Sequence, residues 1–340
     1  MVVYRRKIQL TGGSTFIVSL PKEWASSMGL RPGSEVEIEP RPDGSLVLRV
    51  SPSTRSRGLE RRKAIRVTAD GMKTLATEIL SAYLAGYNII DLLYGADVDP
   101  RNLMREVERA RERALGLEVI EEEYGRITLS TVTGPPTISS IKAFERMISI
   151  TKSMLENVAQ NMRKPDPVVL ESVIERDTIV DKFFLLVMRQ FTLLLQGGIR
   201  PSDAGIVVLP EILYRVIAAK SVERIADHSV LVAEILLNTR REAFLSDDIV
   251  ELFEYSVEIF KRASRAYMQL DRNTALEARR MVDLFWRREA ETRSALRETV
   301  YLPDAAALLD STRRIAAYSS DLAEAALNIV ELRSLNSDLL

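Results

Sequence analysis

Two pairs of carboxylates, each spaced four residues apart, are the part of this sequence best suited to chemistry. In "VIERDTIVDKFF" (173–184) the pair is Asp177 and Asp181; in "KSVERIADHSVLVAE" (220–234) it is Glu223 and Asp227. On a helix, residues i and i+4 stand one above the other, about 5–6 Å apart. Stepping round the first helix, Asp177 and Asp181 fall on the side of Leu170, Val173, Phe184, Met188, Phe191 and Leu195. On the second, Glu223, Asp227 and Glu234 share a side with Ile212, Val216 and Val230. A carboxylate buried alone is strongly disfavoured, so such a group is paired, protonated or bound to a cation. Two pairs on neighbouring helices make an oxygen-only anionic patch suited to a hard cation. The competing reading is a wet groove in which the acids pair with Arg or Lys.

Other chemistries lack their residues. There is no cysteine, which excludes disulfides and thiolate metal sites and fits an intracellular protein. The one histidine, His228, follows Asp227 directly, so it lies about 100° round the helix from that acid and reads as a structural contact. Glu175 likewise points away from Asp177 and reads as solvated. A di-iron site in a helical bundle wants Glu-x-x-His on two helices; Ile225 stands three residues before His228. No P-loop is present, no GxGxxG follows a strand, and "TGGS" (11–14) is too short to hold a phosphate by itself. Without cysteine or a usable histidine, nucleophilic triads are excluded, leaving aspartate-based catalysis as the remaining enzymatic class. The chain reads as a non-enzyme.

The acids need helices to hold them, and from Ile138 onward the pattern is helical. Breaks at "RKPDP" (163–167), "GGIRP" (197–201), "LSDD" (245–248), "LDRNT" (270–274) and "YLP" (301–303) divide it into six segments. The chain also repeats at an offset of 90 residues: "RIADHSVLVAEILLN" (224–238) and "RIAAYSSDLAEAALN" (314–328) share eight of fifteen residues. Six helices with the third echoed in the sixth imply two related three-helix bundles, 138–242 and 246–335. The repeat aligns Glu223 with Arg313 and Asp227 with Ala317, keeping only Glu324 opposite Glu234. The second bundle has therefore lost its acids, and at most one metal site is expected, in the first. Asp283 and Glu289 on the fifth helix are candidate remnants.

Ahead of the helices lie two smaller segments. Residues 1–52 read as strands ("RKIQLT", "TFIVSL", "SEVEIEP", "SLVLRV") around a short helix in "PKEWASSMGL", with turns at "RPGS" and "RPDGS". So short a unit has a thin core and is expected to complete itself with a second copy. After a basic linker at 53–63, residues 64–136 read as βαβαββ: strands at "AIRVTA" and "NIIDLLYG", helices at 70–86 and 100–115, and a hairpin turning at Tyr124–Gly125. That order suggests a small α+β domain, the ferredoxin-like fold being one candidate, closed by "TGPPT" (133–137). It contains no recognisable chemistry.

The 340 residues, 46% apolar and 28% charged, describe an ordinary globular chain. Its net charge of −1 hides an asymmetry. Residues 1–66 carry 13 Lys and Arg against 6 Asp and Glu, and the remainder 34 against 42. A polyanionic partner is therefore expected to meet the basic head. The opening "MVVYRRKIQL" lacks a signal-peptide core, and the longest apolar run, Phe183 to Met188, is too short to span a bilayer. The expectation is a cytoplasmic protein without membrane insertion.

Two stretches carry family resemblances. "GGSTFIVSLPKEWASSMGLRPGSEVEI" resembles the AbrB/SpoVT-type swapped-hairpin domain, in which two chains interleave into one barrel and basic residues contact DNA. That resemblance implies a homodimer, with Arg5, Arg6, Lys7, Lys22 and Arg31 as DNA-binding candidates. "VIERDTIVDKFF" with "SVERIADHSVLVAEI" is similar to the PhoU family, whose two three-helix bundles carry acidic E/D-x-x-x-D motifs. The fusion resembles the archaeal type of phosphate uptake regulator. It implies regulation of phosphate transport and a metal site at Asp177, Asp181, Glu223 and Asp227, with iron or zinc typical and magnesium or manganese still open. The alternative is a dimeric adaptor that does not bind DNA and acts on a phosphate transporter or kinase through protein contacts.

Overall fold

The computed structural model describes residues 3–40, 44–50, 61–131, 138–238, 246–297 and 303–337. Most of the basic linker, the turn at 41–43, the "TGPPT" segment and parts of the breaks at 245 and 301–302 lie outside them. The chain divides into two units, one within Met1–Glu60 and one within Arg61–Asp338.

The first unit is two antiparallel hairpins and a short helix. β1 (Gln9–Thr11) pairs with β2 (Thr15–Ile17), α1 spans Lys22–Ser27, and β3 (Val36–Pro40) pairs with β4 (Leu46–Val50). Gly12 and Gly13 turn the first hairpin with φ of 63° and 81°, a region that side chains other than glycine enter at a cost. Ser34 N–H donates to the Arg31 carbonyl in the "RPGS" turn. The two hairpins form separate sheets, and Val3, Ile8, Leu10, Phe16, Val18, Ile38 and Leu46 are all exposed. An isolated two-stranded hairpin is marginal at best, so this unit lacks the apolar cover that stability requires.

The second unit begins with the βαβαββ order. β5 (Arg62–Val67) leads through a 3-10 turn into α2 (Leu75–Leu84), β6 (Ile89–Tyr94), α3 (Pro100–Arg113) and the hairpin β7 (Leu117–Glu123) and β8 (Arg126–Thr131). Asp99 starts α3, its carboxylate accepting the Arg101 N–H at 3.0 Å ahead of Pro100 in the first turn. The sheet order is β5-β6-β8-β7, with β5 and β6 parallel and the rest antiparallel. The ferredoxin-like fold would require β-α-β-β-α-β; here the hairpin comes last, so that candidate is wrong. Ile65, Ile90, Leu92, Ile127 and Leu129 form the core with Leu75, Ile79, Leu103 and Val107 of the helices.

That core does not end with its own elements, because Leu185 of α5 completes it. Buried Arg189 of α5 donates to the carbonyls of Tyr83 and Tyr87, the latter at 2.9 Å, and its guanidinium lies 4.5 Å from the Tyr83 ring. The end of α2 is thus capped by a helix over a hundred residues away.

The six remaining helices are α4 (Ser140–Asn161), α5 (Pro167–Leu195), α6 (Glu211–Asn238), α7 (Asp247–Gln269), α8 (Arg272–Arg297) and α9 (Pro303–Ser337). Asp166 caps α5, accepting the Val168 N–H at 3.0 Å ahead of Pro167. α4, α5 and α6 pack mutually, as do α7, α8 and α9; α6 meets α9 and α4 meets α7 between the bundles. Ala218, Ala219, Ala226 and Ala233 of α6 are buried, as are Ala316, Ala323 and Ala326 of α9. Small residues let two central helices approach closely, and the echoed "RIA…AE" stretches fall on this pair. Larger groups such as Phe253, Phe260 and Phe285 fill the rest of the core, each worth roughly 1.5–3 kcal/mol of burial.

The core-facing stripes read from the sequence hold only in part. Leu170, Val173, Phe191, Ile212 and Glu223 are buried, whereas Leu195, Asp227 and Glu234 are exposed. α6 packs against α4, α5 and α9, so its buried arc is broad and centred away from Asp227. No helix among the described residues is long and apolar enough to cross a membrane.

Candidate functional site

The two acid pairs face each other across α5 and α6. Glu223 is 8% exposed, Asp177 and Asp181 are half-buried, and Asp227 sits at the rim. The chain supplies two cations of its own. Lys220 Nζ donates to both oxygens of Glu223 at 2.5 and 2.6 Å, three residues along the same helix, and lies 5.1 Å from the Phe184 ring centre. Arg113, at the end of α3, donates from a terminal nitrogen to Asp181 Oδ2 at 3.1 Å. The α+β segment, in which the sequence offered no chemistry, therefore contributes a residue to the site.

Asp177 is the carboxylate left over. Its Oδ1 is buried without a hydrogen-bond partner among the described residues. Burial, and then the charges of Asp181, Asp227 and Glu223, push its carboxyl up to about 7, with Arg113 opposing. Glu223 is raised by burial, partly offset by its bond from Lys220, while Asp227 and Asp181 add to the rise. Asp227, open on its outer side, is also raised, first by the protein that desolvates its inner side and then by Asp181, against Lys220 and Arg224. The Asp181 charge acts on each of the other three, so the four form one electrostatic cluster.

An all-carboxylate donor set suits a hard cation, and a buried oxygen lacking a partner is what such an ion would satisfy. Among the described residues, however, no three of these groups converge as a ready-made metal site. The physical reason is in the ion pairs: Asp181 and Glu223 are turned toward Arg113 and Lys220. The fit is one of charge and donor type alone.

The surrounding residues are structural. His228 Nδ1 lies 3.4 Å from Ser311 Oγ, and its ring stacks with Tyr318 at 6.0 Å, tying α6 to α9 away from the acids. In the second bundle, exposed Arg313 lies 5.7 Å from the Trp286 ring centre. Glu289 is buried against Arg293 at 2.7 Å, Asp283 is exposed, and Glu324 pairs with Arg279 at 3.2 Å. A groove between α4 and α7 has Glu156, Glu251, Glu254 and Glu258 around Lys261 and Arg288, on different helices from the four acids.

In the first unit, Arg5, Arg6, Lys7, Lys22 and Arg31 are all exposed, and none is paired with a carboxylate among the described residues. Arg6 lies 5.8 Å from the Tyr4 ring centre, and the Tyr4 hydroxyl donates to Glu23 at 3.2 Å.

Residues 144–236, a span that contains all four acids, match the PhoU domain family. That match covers the first three-helix bundle of the helical part and stops before the second. Residues 9–56 match a second family, described as antidote-toxin recognition MazE, bacterial antitoxin, an AbrB-like module that includes Lys22 and Arg31 but begins after Arg5–Lys7. Among solved structures, the chain is similar to PhoU from Pseudomonas aeruginosa, at 17% identity over 56% of this chain and 94% of that one, with a TM-score of 0.48. It is also similar to the phosphate transport system regulatory protein PhoU from Streptococcus pneumoniae, at 12% identity over 55% and 91%, with a TM-score of 0.46. No curated protein gives a significant sequence match. The PhoU match covers α4 from Phe144, all of α5, and α6 to Leu236, so the acids and Lys220 lie inside it and Arg113 outside.

The sequence reading singled out neither cation, although Lys220 was legible there from its i,i+3 spacing to Glu223. Arg113 was not, since "REVERARER" (105–113) offers several arginines and nothing that singles one out.

Proposed function

We propose that this chain is a cytoplasmic, homodimeric regulator of phosphate uptake that binds DNA through its N-terminal unit. The observation that carries the reading is a PhoU match joined to a MazE-type match, with candidate cations in it (Lys22, Arg31) and just ahead of it (Arg5, Arg6, Lys7) that are exposed and not paired with carboxylates among the described residues. The exposed apolar residues of both hairpins support dimerisation through that unit, since a second copy supplies the cover they lack. Both domains are of regulatory kind, and the protein works by binding rather than by catalysis.

In this reading Asp177, Asp181, Glu223 and Asp227 hold a metal ion, iron or zinc first, with magnesium or manganese as the harder alternatives. The ion would supply the positive charge that the four carboxylates lack. The unpartnered Asp177 oxygen is the observation in its favour. Comparing metal content of the purified protein with that of Asp177→Ala/Asp227→Ala tests it, and equal, negligible metal in both refutes it.

The DNA reading is tested by binding at several salt concentrations. Each phosphate contact contributes about −0.9 to the log–log salt slope. Arg5→Ala/Arg6→Ala removes four candidate contacts from a dimer, so the slope should become shallower by roughly 3 to 4. Selection of bound DNA, with sites recovered upstream of phosphate-transport genes, supports the regulator. No binding to any duplex at low salt supports instead an adaptor that acts on a transporter or kinase.

A further inference from the structure

We propose that the face shared by α6 and α9 carries a binding site for a phosphate group, clamped between Arg224 and Arg314 over the paired rings of His228 and Tyr318. The start of α6 meets the end of α9, where Arg333 donates to Glu211, so the two helices run antiparallel. His228 and Tyr318 meet midway, their rings stacked with centres 6.0 Å apart. Arg224 stands one turn before His228 on α6, and Arg314 one turn before Tyr318 on α9. Antiparallel packing puts these two turns on opposite sides of the ring pair, and each arginine addresses the ring on the other helix. The Arg224 guanidinium carbon lies 5.9 Å from the Tyr318 ring centre, and the Arg314 charge acts on His228. The arrangement has pseudo-two-fold symmetry, because the 90-residue repeat aligns Arg224 with Arg314 and His228 with Tyr318.

Both arginines are exposed, and neither has a carboxylate at ion-pair distance among the described residues. Asp227 feels Arg224 only at longer range. Other arginines of these bundles do find acids: Arg262 pairs with Glu277, Arg279 with Glu324 and Arg293 with Asp310. His228 is half-buried, and the charges that act on it are Arg314 and Arg224, with no carboxylate among them. Its Nδ1 lies 3.4 Å from Ser311 Oγ, while Nε2 and the Tyr318 hydroxyl have no partner among the described residues. The ring pair that ties the two helices together thus also floors a cationic spot without a counter-charge. Two guanidinium forks approaching from opposite sides fit a tetrahedral dianion, whose several oxygens accept from both and whose charge balances both. Helix packing requires no exposed arginine, yet the repeat keeps one at each equivalent position while it drops Glu223 and Asp227. A metal at the carboxylates is not needed for this site.

The chain's single histidine supplies the assay. Untagged full-length protein, isotope-labelled at histidine, is titrated with inorganic phosphate and separately with adenosine monophosphate, at fixed pH and with sodium chloride holding the ionic strength constant. The His228 ring signals should shift saturably, with a Kd on the order of 1 mM. Arg224→Gln and Arg314→Gln should each weaken binding roughly three- to tenfold, and the double variant should lose the saturable shift. Arg313→Gln, which removes a neighbouring exposed arginine, should bind like the wild type. Circular dichroism confirms that each variant is folded. Tighter binding of phosphate identifies the free ion as the ligand and tighter binding of the nucleotide a phosphate monoester; either supports the site. No saturable shift in the wild type, a shift that chloride alone reproduces, or one that the double variant retains would overturn it. An equal loss in Arg313→Gln would overturn it too, since general surface charge would then account for the binding.

Discussion

Replacing Asp177 with Asn should stabilise the metal-free protein, by an amount that grows as the pH rises. Burial and three neighbouring carboxylates hold the Asp177 carboxyl at about 7, against an ordinary 3.8. The unfolded chain loses this proton near 3.8, so across the interval up to 7 the folded state keeps a proton that the unfolded state has given up. Stability contributed by this group therefore falls with rising pH through that window and levels off above it. Three pH units at about 1.4 kcal/mol each set a ceiling of about 4 kcal/mol. Reorganisation of Asp181, Asp227 and the site's partial solvent access reduce this, and roughly 2 kcal/mol is the working expectation. Asn does not ionise, so the variant lacks the decline. The assay is urea unfolding followed by helical circular dichroism, with chelator present, at steps between pH 4 and pH 8. The variant's advantage should be near zero at pH 4 and complete by pH 8. A variant less stable than wild type at pH 8, or an advantage independent of pH, would refute the account. Adding metal should reverse the sign, because the wild type then gains binding energy that the variant lacks.

Two further predictions concern buried ion pairs that hold the scaffold. Fully buried Glu211 accepts from Arg215 at 2.7 Å and from Arg333 of α9 at 2.8 Å, clasping the two bundles together; Glu211→Gln should cost about 3–5 kcal/mol in urea unfolding, and a cost under about 1 kcal/mol would sink the clasp. Asp91, which accepts from Arg62, Arg126 and Thr128 on the sheet, is lowered to about 2, chiefly by its Arg62 bond. Its contribution is present above pH 3.8 and lost as the pH falls toward 2, so Asp91→Asn should cost about 2 kcal/mol at pH 7 and clearly less at pH 3, read from the same denaturation curves.

Much of the architecture could be read before any coordinates, for local reasons. Asp166–Pro167 and Asp99–Pro100 announce helix starts because a carboxylate accepts the free N–H groups of the first turn and proline needs none of them. The 90-residue echo locates α6 and α9, and its alanines are those that let these two helices pack closely. The βαβαββ order was equally visible, but the sheet order was not, since strand pairing depends on where the chain returns rather than on any strand's own residues. The stripe argument succeeded for Glu223 and failed for Asp227, because angular position on a helix says which residues share a side and leaves open how wide an arc the neighbours cover.

The four acids, their i,i+4 spacing, the loss of two of them in the second copy and the basic head are all legible along the chain. These are properties of helical pitch and composition, which need no partner to be defined. Tertiary packing alone leaves Asp177 Oδ1 without a hydrogen-bond partner among the described residues and pairs Asp181 with an arginine from the α+β layer. That contact exists because Leu185 and Arg189 dock α5 onto the end of α2 and its sheet, bringing α3 within reach of Asp181. No periodicity along one chain segment records a distance set by the packing of another.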